Sequence, residues 1–269
     1  MDYAWLVFGS AARNELTLAS DQVNGLAYAD TDDPAVGEYF GRVAEVVNGG
    51  LSRCGFEADS HGVLAGAQIW HTKLASWKRV FSGFLDAEDV KLVLNASVSF
   101  DYRQAAGQLY VTQALTDLMR EAHAHPRFMQ CLARLGSDYH PQVSGFRQRL
   151  DRVLDIKQGA LLPIQNRARC HALARGITIQ ATLDRLAAIC NVDAEGAECD
   201  RRQREAYLSI KQLQLEHHAE AVREGRKPDN TIDTSALRPL ARANLQAALR
   251  VVAAAQSRFP RLAAGWRSL

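Results

Sequence analysis

The chain has 269 residues, 47% hydrophobic and 23% charged, enough apolar material for two modest cores or one large one. Its 32 basic and 30 acidic residues leave a net charge of +2, without the clustered cationic excess that binding to nucleic acid or an acidic membrane surface requires. Five scattered cysteines with no Cys-x-x-Cys pair, no apolar run near the ~20 residues that span a bilayer, and no signal-like N-terminus together predict a cytoplasmic protein without a cysteine metal or redox motif.

Tyr3 to Phe8 is a continuous apolar run ending at Gly9-Ser10, the pattern of a buried strand leading into a tight turn. A polar loop follows, and Asn24 to Ala29 reads as the second strand, with Asp21 at its entry. Asp33-Pro34 supplies an N-cap and a first-turn proline, and Val36, Phe40, Val43 and Val47 recur at helical spacing, so a helix is expected to run to about Asn48 and stop at Gly49-Gly50. Trp70, Leu74, Trp77 and Phe81 predict a helix over 68–85 laid against the sheet, and the β-branched and aromatic residues from Val93 to Tyr102 predict a third strand.

After about Gly107 the strand signals fade. Helices punctuated at Pro126, Pro141, Gly176, Gly196, Pro228 and Pro239 account for the rest, with apolar stripes at Leu183, Leu186 and Cys190 and at Leu245, Leu249, Val252 and Phe259. The expectation is an α+β chain: a mixed-sheet domain over 1–107 followed by an all-α domain over 108–269, with a ligand cleft between them.

The run Gly9-Ser10, Arg13, Glu15, then Ser20-Asp21-Gln22 and Asn24 resembles the catalytic entry of the bacterial nucleotidyltransferase-like family related to PII-protein uridylyltransferase. Later segments resemble the same family in the same order: Gly62 to Trp77, the stretch LNASVSFDYR at 94–103, and, in the helical half, 156–164, 176–186 and 225–233. The resemblance implies a nucleotidyltransferase-fold domain and a helical substrate-binding domain, with Mg²⁺ as cofactor, a nucleoside triphosphate as ligand and a protein or small-molecule hydroxyl as acceptor. It implies Gly9, Ser10 and Arg13 as nucleotide-binding residues and Asp21 and Asp101 as catalytic metal ligands, and the register after the Gly-Ser turn predicts those acids on neighbouring strands. No nucleic-acid or membrane partner is implied.

The departures concentrate where chemistry is expected. Ala11-Ala12 stands where relatives have Glu-Gly, and Val23 stands where they have a second Asp. Side chains alternate along a strand, so acids two residues apart would face one metal pair; valine ligates nothing. Arg13 either neutralises phosphate or pairs with Glu15 to hold the loop, and Asp101 either ligates a metal or joins the adjoining Tyr102-Arg103 in a structural ion pair. His123 and His125, and His217-His218, have spacings that place each pair on different helix faces, so they read as surface or packing residues. Lys157 either reaches a triphosphate or lies on a solvated helix face, and Asp229-Asn230 reads as a turn. Two functions remain open at this point: a Mg²⁺-dependent transferase of the PII-uridylyltransferase-like class, or a catalytically inactive relative that binds a nucleotide or a partner.

Overall fold

The computed structural model describes residues 1–86, 95, 97–141, 143–144, 149–192 and 197–265. It divides into two compact units, the first comprising Met1–Leu16 and Ser20–Phe128 and the second Thr17–Ala19 and Met129–Leu269. The architecture is α+β.

In the first unit, β1 (Tyr3–Phe8) runs into a four-residue helical turn, α1 (Gly9–Ala12), and β2 (Asn24–Tyr28) returns antiparallel to β1. Helix α2 (Pro34–Arg53) starts as its sequence predicts, with Pro34 in the first turn and the Asp33 carboxylate accepting from the Ala35 N–H at 2.9 Å. Gly49-Gly50 does not end it. Both glycines are helical and the chain turns away at Gly55, where φ is +94°. Hydrogen bonds from Gln22 to Asn48 and Ser52 hold the last turns in place and offset the roughly 1 kcal/mol that each glycine costs a helix.

The helix expected over 68–85 is three elements instead. A 3-10 turn (Gln68–Trp70) leads into a short edge strand, β3 (His71–Lys73), and only then into α3 (Leu74–Leu85). Pairing with β2 in parallel register, Leu26 to His71 and Tyr28 to Lys73, outweighs the local helical periodicity. The exposed Asp30 caps α3, accepting from the Ala75 N–H at 2.8 Å. The third predicted strand lies further along the chain. Val93 and Leu94 lie outside the described residues, Ser97 to Ser99 are helical, and β4 is Tyr102–Gly107. It pairs antiparallel with β1, giving the mixed order β3-β2-β1-β4.

The two sheet faces bury different cores. Trp5, Leu26 and Tyr28 pack with Phe40 and Ala44 of α2, flanked by Val36, Val43 and Val47. On the other face Phe8 meets Trp70 and Trp77 at ring-centroid separations of 5.7 and 6.1 Å, and the aromatic array continues through Phe81 and Phe100 to Phe128. Gly25 makes this packing possible, since a Cβ there would come within 2.7 Å of the Trp77 ring. The first compact unit also holds α4 (Thr112–Glu121), so by compactness it extends beyond the boundary expected near residue 108.

The second unit is mainly helical: most of α5 (Pro126–Asp138), then α6 (Leu162–Leu173), α7 (Thr182–Val192), α8 (Ala197–Arg223) and α9 (Pro239–Gly265). Its core joins Ile164, Leu186, Tyr207, Ile210, Leu245, Leu249 and Val252, so the two apolar stripes read from sequence do face inward. The unit is not all helix. Short antiparallel pairs form between β5 (Val143–Ser144) and β6 (Arg149–Leu150), and between β7 (Val153–Asp155) and β8 (Thr231–Asp233). Asp229 closes the turn before β8 by accepting from the Thr231 N–H. Among the described residues, no helix is long and apolar enough to cross a membrane.

Candidate functional site

Gly9 takes φ +56°, a left-handed conformation open to glycine at little cost, and this is what lets β1 turn directly into α1. The backbone at this end of β1 is held on both sides: Phe8 N–H donates to the Val23 carbonyl at 2.9 Å, and Gly9 N–H donates to the Asp101 carbonyl at 3.0 Å. Val23 and Asp101 therefore flank the C-terminal end of β1. The register after the Gly-Ser turn predicts the two acidic segments on neighbouring strands, but they lead into strands that are not neighbours, because β1 lies between β2 and β4. The strands that follow them, β2 and β4, lie two strand spacings apart, about 10 Å.

Half-buried Ser10 accepts from the Glu15 N–H through its carbonyl at 2.8 Å, closing the loop across the left-handed Asn14. Inside this loop lies a buried ion cluster. Arg13 donates through Nη1 to Asp101 at 2.5 Å and through Nε to Glu15 at 2.7 Å. Arg13 is 6% exposed and Asp101 0%. Burial opposes the charge on Arg13, but Asp101 and then Glu15 outweigh it and raise the guanidinium above its ordinary range. Asp101 thus pairs with an arginine 88 residues away in the chain, while the guanidinium of its near neighbour Arg103 donates to the Ala11 carbonyl at 3.0 Å.

Asp21 is half-buried and precedes β2. The next residue, Gln22, forms a parallel bridge with Ala58. Gln22 and Asn24 both reach Asn48 of α2: the Asn48 amide donates to Gln22 Oε1 at 2.8 Å and to Asn24 Oδ1 at 2.9 Å. Gln22 Nε2 donates in turn to the Asn48 and Phe56 carbonyls and to Ser52 Oγ, while the Ala65 and Gly66 N–H groups donate to Asn24 and Asn48. Since these two amides lie toward α2, alternation turns Asp21 and Val23 to the opposite side. The sequence signal of this network is a pair of amides spaced i, i+2 at the entrance to a buried strand, which carries no metal-ligand or phosphate pattern.

A two-ion centre needs cations about 3.5–4 Å apart, bridged by a shared carboxylate. Val23 supplies none, Asp101 is paired through Oδ2 with Arg13, and among the described residues no group of three His, Cys, Asp or Glu could hold a metal ion. The residues present do not fit such a centre. Of the histidines, His217 pairs with Asp229 at 3.2 Å and His125 with Asp86 at 3.3 Å.

A mixed sheet whose first strand enters a Gly-Ser turn, with acidic segments flanking that same end, is a nucleotidyltransferase-type arrangement. Comparison with known families agrees. Residues 1–91 match the family described as Putative nucleotidyltransferase DUF294, and residues 126–261 match its companion, described as Putative nucleotidyltransferase substrate binding domain. The second match covers more than half of the chain, and the chain belongs to this family. No curated protein matches it.

Proposed function

We propose that the chain is a nucleotide-binding, cytoplasmic member of its family that holds a nucleoside triphosphate on the Gly9-Ser10 turn without catalysing group transfer. The observation that carries this reading is the closed Arg13–Asp101 pair on one side of β1, together with a valine on the other. Gly9 lets phosphate approach the backbone, the Ser10 hydroxyl donates to it, and Arg13 keeps the loop in shape. The second unit, in a family described by substrate binding, would then present a partner.

Family membership favours a second reading, in which a uridylyl or adenylyl group passes from the triphosphate to a protein or small-molecule hydroxyl with Mg²⁺ held by Asp21 and Asp101. That reading requires Arg13 to release Asp101. Calorimetric titration with each of the four nucleoside triphosphates tests the nucleotide site. Saturable binding of at least one is expected, weakened about tenfold by Ser10→Ala through the loss of one phosphate hydrogen bond. Absence of binding by all four would overturn the proposal.

A further inference from the structure

We infer that Arg13 is the resident counter-cation of this motif: its guanidinium takes one oxygen of each carboxylate that a divalent ion would need, Asp101 Oδ2 and Glu15 Oε2, and the first unit binds no divalent ion there. The cluster contains one cation and two carboxylates, Asp101 and Glu15, all at most 10% exposed by side chain. Both ion pairs are charge-assisted hydrogen bonds, and the planar guanidinium fork serves two acids at once, which an ammonium could not do with the same geometry. A metal ligated through Asp101 Oδ2 and Glu15 Oε2 would have to displace that fork and leave Arg13 buried beside it. Val23 contributes no ligand with which to recover the loss. On the proposed nucleotide reading, which this inference deepens, any nucleoside phosphate on the Gly9-Ser10 turn is bound without a bridging divalent ion.

Thermal unfolding with millimolar Mn²⁺ against EDTA tests this in wild type, Arg13→Gln, Asp101→Asn and the double variant. Wild type should unfold at the same temperature in both buffers. Each single variant should unfold lower in EDTA by about 5 °C or more, and the double variant should lose much less than the sum, because removing one member of a buried pair strands the other. Arg13→Gln, with Asp101 and Glu15 released, should gain a Mn²⁺ stabilisation that wild type lacks. Saturable Mn²⁺ stabilisation of wild type that Asp101→Asn abolishes would overturn the inference, as would an Arg13→Gln protein as stable as wild type in EDTA. If a single variant does not fold, the wild-type Mn²⁺ comparison still decides. A wild type that responds to neither Mn²⁺ nor any nucleoside triphosphate removes the nucleotide reading and leaves the Arg13 assignment standing.

Discussion

Buried charge in this protein is distributed residue by residue, and its pH behaviour follows from that. His171 of α6 is 3% exposed and faces Phe259 at a ring-centroid distance of 6.0 Å. Burial, reinforced by Arg167 and Arg175, holds its pKa down to about 2, so it stays neutral in the folded protein. In the unfolded chain it takes up a proton below about 6.5, so the stability linked to it is complete above that pH and is lost as pH falls. Between pH 7.5 and 5.5 this histidine should cost about 1.4 kcal/mol. Urea unfolding at the two pH values measures the slope, and His171→Gln should flatten it; an unchanged slope would remove His171 as its source.

Among the elements, the strand leading out of the motif is the most constrained. Gly25 of β2 leaves no room for a methyl group under Trp77, whose indole N–H is fixed to the Leu26 carbonyl at 3.0 Å. Gly25→Ala should destabilise the protein by about 1–3 kcal/mol in denaturant unfolding, as overpacking of a rigid core does. Asn48→Ala should cost about 2–3 kcal/mol, because it leaves Gln22, Asn24 and the Gly66 N–H short of partners. A loss below about 0.5 kcal/mol would show that solvent replaces the network.

How far the sequence reveals these elements depends on whether a local or a distant partner decides them. β1, β2 and the start of α2 are legible because apolar runs, Gly9 and Asp33-Pro34 act on their own neighbours. β3 is not, since three residues of helical periodicity are captured by β2 far along the chain. The site divides in the same way. Gly9-Ser10 and the loss of a carboxylate at Val23 can be read directly, whereas the pairing of Arg13 with Asp101 spans 88 residues and could not be read from either residue's neighbours.

At the scale of the molecule, family membership and the state of the motif pull apart. The chain matches the nucleotidyltransferase model over 1–91 and the substrate-binding model over 126–261, yet in its first unit an arginine is paired with the acid expected to hold metal. Restoring the missing carboxylate is informative here: Val23→Asp places an acid on the same side as Asp21 and should make nucleotide binding respond to Mg²⁺, which calorimetry with and without the ion would register. Unchanged binding would mean that Arg13 alone keeps divalent ions out. The most direct measurement of the central claim is pyrophosphate release by the wild-type protein from each nucleoside triphosphate in the presence of Mg²⁺. No release above the protein-free rate is predicted; steady turnover at an ordinary enzymatic rate, abolished by Asp21→Asn, would contradict it.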